Sequence, residues 1–297
     1  VIRLAVVSQK GGPGKTTTAV NLGTGLAMAG NDVVIVDVEP QAQAGAAVGV
    51  RLDPVSDKHL SLGLKLQMAA QGLKTSVDDI LLDRSEILAK WKNHGRLEVL
   101  AAEQETMVTA QHILHSQGKG RMGALDDLLE SIDDQFDYAI IDTPPAVQAL
   151  NAAALAAADY AVTLSWPKHQ TLEGAVAMRA TIGRMHADGG EGPKFLGTVL
   201  NMAHPVGDWT TEEIEVRDML VDAGLSPFVT EIRENSRISR SYDSGVPSVA
   251  GFARHDCGKR YANLLKEVLV RMDAPESEWE IAPSASEVLD AMESASV

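Results

Sequence analysis

Cysteine, aromatic residues and long apolar runs are scarce in this chain of 297 residues. The single cysteine, Cys257, excludes an internal disulfide framework and a cysteine-ligated iron–sulfur cluster, which needs several thiolates. It fits a reducing cytosol. No run approaches 18 uninterrupted apolar residues, so no membrane-spanning helix is expected. An apolar strand is expected from residue 2, which leaves no room for a secretory leader or a preceding DNA-reading domain. Positive charge is also in deficit. The net charge of −15 speaks against a generally basic nucleic-acid binder.

The charge is uneven. Residues 273–297 carry Asp273, Glu276, Glu278, Glu280, Glu287, Asp290 and Glu293 with no lysine or arginine. Residues 233–260 hold Arg233, Arg237, Arg240, Arg254, Lys259 and Arg260 against Glu234, Asp243 and Asp256. A local basic patch can coexist with a negative total, because distant charges are screened beyond a Debye length of ~8 Å.

Apolar, β-branched runs recur between stretches of helical spacing: 2–7, 33–37, 97–100, 138–142, 160–164 and 195–200, with a shorter candidate at 227–230. Strands alternating with helices predict an α/β fold, a mostly parallel twisted sheet flanked by helices on both faces. Binding residues then belong at the carboxyl ends of the strands. Short helices are expected around 59–71 and 77–91, a loop at Gly189–Pro193, and an amphipathic helix at 258–272. This organisation predicts one domain over 1–272 and an acidic tail over 273–297, either a short helix capped by Ser284 or Ser286 or a disordered segment.

After the first apolar run comes Lys10-Gly11-Gly12-Pro13-Gly14-Lys15-Thr16-Thr17, followed by helical spacing. A strand, a glycine-rich turn and a helix N-terminus form a phosphate cradle, because backbone N–H groups and the helix dipole converge on an anion. Lys15 is placed to reach the terminal phosphates and the Thr16 hydroxyl to ligate Mg²⁺. Pro13 removes one possible N–H donor and pre-sets the backbone. Asp37 and Asp142 end apolar runs and are candidates to hold Mg²⁺ through water.

The loop departs from the ordinary G-x-x-x-x-G-K-[ST] pattern: Gln9 fills the first glycine position and an extra lysine, Lys10, opens the loop. It resembles the deviant Walker A loop of the ParA/MinD class of ATPases, most nearly of ParA (Soj-like) partition ATPases. Asp142 in Asp142-Thr143-Pro144-Pro145 looks like that family's Walker B aspartate. Asp37-Val38-Glu39-Pro40-Gln41 looks like its second acidic motif, commonly Asp-x-Asp-Pro-Gln. Ala156–Asp159, Leu172-Glu173-Gly174, Arg233–Ser239 and Gly245-Val246-Pro247 resemble further family segments, so the likeness covers residues 1 to about 272.

The resemblance implies ATP and Mg²⁺ as ligands and hydrolysis to ADP and phosphate. It implies a homodimer closed by ATP, with Lys10 crossing to the partner's nucleotide. Lys10, Lys15, Asp37 and Glu39 would be catalytic. Gly11, Gly12, Pro13, Gly14, Thr16 and Thr17 would hold phosphates. Asn201, Arg233 and Asn235 fit by place as contacts to the nucleotide. Thr16, Asp37 and Asp142 would hold the metal. Arg237, with Arg240 and Arg217 as neighbours, would bind duplex DNA without sequence preference, in competition with the acidic tail. A ParB-like adaptor would stimulate hydrolysis, and the protein would be cytoplasmic and nucleoid-associated, moving a plasmid, chromosome or other cargo. Glu39 departs from the family's aspartate by one methylene. A displacement near 1 Å in a positioned group costs on the order of 10²-fold in rate, so either hydrolysis is slow or the backbone adjusts and turnover is normal for the family. Two other readings are a MinD-like membrane-positioning ATPase, disfavoured by the acidic tail, and a metabolic P-loop synthetase, disfavoured by the Asp-x-acid-Pro-Gln motif.

Overall fold

The computed structural model describes residues 1–145, 149–187 and 192–295, apart from the side chains at 119, 120, 293 and 295. The first half of the chain runs β1 (Ile2–Val7), α1 (Lys15–Met28), β2 (Val33–Asp37), α2 (Gln43–Ala47), α3 (Leu62–Ala70), β3 (Leu82–Asp83), β4 (Leu97–Leu100), α4 (Gln104–Gln117), α5 (Ala124–Leu129) and β5 (Tyr138–Asp142). The second half runs α6 (Ala149–Ala156), β6 (Tyr160–Ser165), α7 (His169–Ala187), β7 (Lys194–Ala203), α8 (Thr211–Asp222), β8 (Ile232–Arg233), α9 (Ser236–Ser244), α10 (Ser248–Gly251), α11 (Asp256–Asp273) and α12 (Ala285–Ala295).

The strands form one eight-stranded sheet in the order β3-β4-β2-β5-β1-β6-β7-β8. Every named pair is parallel except β3 with β4 at one edge. Alternate side chains feed two cores. Ala5, Val7, Val34, Val36, Ala139 and Ile141 face α3, α4, α5 and α6. Leu4, Val6, Val33, Ile35 and Ile140 face α1 and α11. Burial on both faces is why these strands read as continuous apolar runs. Beginning at β1, the chain builds toward β4, returns to insert β5, and then builds outward through β6 to β8. The carboxyl ends of β1, β2 and β5 therefore meet at the reversal, where open α/β sheets form their ligand crevice.

Two expected elements differ. Residues 77–91 form no continuous helix but two single 3₁₀ turns, Asp78–Ile80 and Ser85–Leu88, with β3 between them. Local polar groups divert this backbone: Ser85 N–H donates to Asp83, and Arg84 N–H to the Leu97 carbonyl at 2.7 Å. Residues 227–230 make only an isolated bridge from Pro227 to Thr198, and the strand falls at Ile232–Arg233. The N–H groups of Val229 and Thr230 are taken by the Glu267 carboxylate of α11 at 2.9 and 2.8 Å. The expected loop at Gly189–Pro193 lies outside the described residues as far as 191.

The acidic extension is held against the body. Arg271 is 2% exposed and donates to the carbonyls of Leu196, Ser226, Pro227 and Glu280. Its guanidinium lies 3.9 Å over the Phe228 ring and 5.3 Å over that of buried Trp279. Beyond this strap, α12 begins with a reciprocal cap between Ser284 and Glu287, and Ser286 bonds Asp218 of α8.

Candidate nucleotide site

The loop 8–14 leaves β1 at the sheet centre and enters α1. Gly14 has φ +90, and a Cβ there would collide with the Asn201 side chain, so only glycine fits. The N–H groups of Gly11, Gly12, Gly14, Lys15, Thr16 and Thr17 donate to no protein acceptor among the described residues; the first helical bond here runs from Thr18 N–H to the Gly14 carbonyl. These orphan donors line a pocket of about 400 Å³ with Glu39, Gln41, Gln43 and Pro145. A row of unspent N–H groups over a helix N-terminus fits an anion of several phosphates.

Lys15 lies 6% exposed under this pocket and makes no salt bridge among the described residues. Burial lowers its pKa, opposed by the charges of Asp142 and Glu39. Thr16 Oγ1 donates to Asp142 Oδ2 at 2.7 Å, while Asp142 Oδ1 is buried with no hydrogen-bond partner among the described residues. Burial pushes the Asp142 carboxyl up to about 7, against the Thr16 hydroxyl and the Lys15 charge. Asp37 pairs in register with Asp142 across β2 and β5. Burial, then the charge of Asp142, raises its pKa well above the ordinary range. A hydroxyl and two strained carboxyls beside a polyanion cradle fit hydrated Mg²⁺, which keeps water and phosphate ligands.

The two aspartates differ in availability. Both Asp37 oxygens accept backbone N–H groups, from Glu39 at 3.2 Å and Gly45 at 2.9 Å, so Asp37 also fixes α2. Asp142 Oδ1 is in hydrogen-bond geometry with no side chain or backbone group among the described residues. Glu39 faces the phosphate pocket with Oε1 accepting from Gln41 N–H at 3.3 Å. Burial raises its pKa, opposed by that N–H and by Lys15.

Lys10 is exposed at the loop's mouth, its stem against Gly174 of α7, and forms no ion pair among the described residues. Sequence reasoning passed over Trp166, which follows β6 with its ring edge against Gly12. A tryptophan following an apolar strand gave no cue that it would back the phosphate loop.

A second pocket of about 300 Å³ shares Gly14 and Thr17 with the first and is lined by Asn201, Met202, Arg233, Asn235, Ile238 and Tyr261 among others. It suits the nucleoside end of a nucleotide whose phosphates lie in the cradle. Asn235 caps α9 by accepting Arg237 N–H, and Arg233 pairs loosely with Glu231 at 3.4 Å. Asn201 lines this pocket, but its amide is engaged: Nδ2 donates to the Pro13 carbonyl at 2.6 Å and Oδ1 accepts from Met202 N–H at 2.9 Å.

The three candidate DNA-binding arginines separate. Arg240 is exposed and Arg237 half-buried on α9, and neither forms a salt bridge among the described residues. Arg217 departs from expectation. It pairs with fully buried Glu213 at 2.9 Å and with Glu231 at 2.6 Å, and stacks 4.0 Å over Trp209. Its charge is already engaged by two carboxylates of its own chain. The acidic extension bonds α8 and the Pro227 carbonyl.

A strand, phosphate loop and helix at the crevice of a parallel sheet, with a buried aspartate ending the neighbouring strand, define a P-loop NTPase. Residues 2–191 match the family described as AAA domain. The chain belongs to this family, in its ParA/MinD class. It is 27% identical over 273 residues to the chromosome partitioning protein ParA of Caulobacter vibrioides, covering 90% of this chain and 94% of that one. Its fold is similar to that of Cyanothece McdA complexed with ATP, with a TM-score of 0.75 at 20% identity over 91% of this chain and 96% of that one. It is also similar to the septum site-determining protein MinD of Pyrococcus horikoshii complexed with Mg-ADP, with a TM-score of 0.67 at 21% identity over 92% and 98%. No helix among the described residues is long and apolar enough to cross a membrane.

Proposed function

We propose that this chain is an ATP-driven partition or positioning switch. Bound ATP closes two copies face to face, the closed dimer holds duplex DNA, and an adaptor protein of the ParB type triggers hydrolysis and release. The observation that carries this reading is the pair of lysines on one loop. Lys15 is buried under the phosphate pocket, whereas Lys10 stands exposed at its mouth with no carboxylate partner among the described residues. A cation that serves no group of its own protomer is available to a second nucleotide, where it would neutralise charge developing in the transition state.

Within one protomer, Lys15 and the loop N–H groups bind the phosphates, and Thr16 with Asp142 and Asp37 would hold Mg²⁺. The metal supplies positive charge against the phosphate oxygens. Glu39 orients the attacking water and accepts its proton, a task favoured by a carboxyl whose pKa burial has raised. On α9, Arg237 and Arg240 supply the charge for phosphate-backbone contacts.

Anisotropy of a labelled duplex, titrated with protein plus ADP, ATP or a slowly hydrolysed analogue, tests the reading. Tight binding with ATP or the analogue, absent with ADP and weakening steeply with salt, is expected. Equal affinity in all nucleotide states would contradict it.

A further inference from the structure

Asn201 bridges two segments 188 residues apart, donating from Nδ2 to the Pro13 carbonyl while Met202 N–H holds its Oδ1. The residue is 5% exposed, and β7 is irregular at this point. Its pairing with β8 shifts between Asn201 and Ala203, and Met202 has φ +54. That turn brings the Met202 N–H onto the Asn201 oxygen, which fixes which face of the amide carries the donors.

The bond has a consequence on the far side of the peptide. The Pro13–Gly14 bond is trans and planar, so its carbonyl and its N–H point in opposite directions. An amide that draws the Pro13 carbonyl toward β7 turns the Gly14 N–H the other way. That N–H has no acceptor among the described residues, and Gly14 lines the phosphate pocket. Pro13 brings no N–H of its own, so Gly14 supplies the first donor at the helix entrance. Collision of any Cβ at Gly14 with Asn201 Nδ2 shows how closely the two are fitted.

We infer that Asn201 is a positioning residue for the phosphate loop, orienting the Gly14 N–H toward the polyphosphate, rather than a reader of the nucleobase. It acts through Pro13 and touches no phosphate. The base is then held by the Met202 side chain and by the segment from Arg233 to Ser239, which line the rest of the nucleoside pocket. The inference rests on the reading of this loop as a triphosphate site.

The test compares Mg-ATP with Mg-tripolyphosphate, which has no base, by calorimetry on the full chain. Asn201→Asp keeps the acceptor for Met202 N–H but sets an oxygen against the Pro13 carbonyl. Asn201→Ala removes the donor without adding charge and serves if the aspartate variant does not fold, judged by circular dichroism. A loss of about tenfold is expected, the worth of one hydrogen bond, and by the same factor for both ligands. A loss confined to ATP would make Asn201 a base reader and overturn the inference, as would no loss for either. Wild-type protein that binds neither ligand would instead refute the triphosphate reading, so the two failures are distinct.

Discussion

Asp37 and Asp142 end adjacent parallel strands in direct register, two fully buried carboxyl groups side by side beneath the phosphate loop. Burial disfavours the charged form of both, the charge of Asp142 adding to it at Asp37 and that of Glu39 at Asp142, and both pKa values rise, that of Asp142 to about 7. Each group holds its proton more firmly in the folded apo-protein than in the unfolded chain. Their contribution to stability is therefore full below the ordinary carboxylate range and is lost as pH rises through about 7. Metal-free protein is expected to melt at higher temperature near pH 5.5 than near pH 8, and Asp142→Asn to flatten the difference, gaining about 1–3 kcal/mol at the higher pH. Thermal unfolding in chelator at both pH values measures this. The same variant should lose Mg²⁺-dependent nucleotide binding. A wild-type melt no more pH-sensitive than that of Asp142→Asn would count against the buried pair.

Glu39 stands in the phosphate pocket, at the position where the family resemblance leads one to expect aspartate. Single-turnover ATPase rates should rise for Glu39→Asp and fall by on the order of 10²-fold for Glu39→Ala, with nucleotide affinity little changed. If neither substitution moves the rate, the water-orienting role is wrong.

Free and consumed arginines should separate by assay. Arg237→Glu or Arg240→Glu should weaken DNA binding across all sequences. Each phosphate left without its arginine should reduce the slope of log affinity against log salt by about 1. Arg217→Ala should instead take the guanidinium from buried Glu213, leaving it only the His204 contacts among the described residues, and cost about 1.5–3 kcal/mol in urea unfolding. An Arg217 variant of normal stability that loses DNA would reverse this assignment.

A chain ending at Ala274 loses Trp279 from over Arg271 and the Glu280 carbonyl from its guanidinium. About 2–4 kcal/mol of stability should go with them, without tighter DNA binding at low salt. Tighter binding by the shortened chain would restore the idea that the acidic extension competes for the α9 patch.

The parallel sheet and phosphate cradle were legible in the sequence because they rest on local signals. Strands buried on both faces read as β-branched runs, and the loop's glycines, lysines and threonines sit at fixed spacing beside them. What was not legible depends on distant partners. Val229 and Thr230 have strand character, yet Glu267 takes their N–H groups. Arg217 looks like any helical surface arginine until Glu231 and Trp209 fold onto it. The sequence leaves the acidic extension as either a capped short helix or a disordered segment, and its charges give no hint that Arg271 holds its backbone and packs against Trp279. Asn201 was a candidate by its place after an apolar run, but its bond to Pro13 spans the chain and leaves no local pattern.

The central claim is that two copies close on two nucleotides, each lending Lys10 to its neighbour. Light scattering coupled to size exclusion tests it directly, with protein saturated by Mg²⁺ and a non-cleavable ATP analogue. Wild-type protein should run at twice the mass of its ADP form. Lys10→Ala should bind nucleotide as a monomer and lose hydrolysis, by about 10³-fold or more if its part matches that of a charge supplied in trans. A wild-type chain that stays monomeric with the analogue bound would contradict the account.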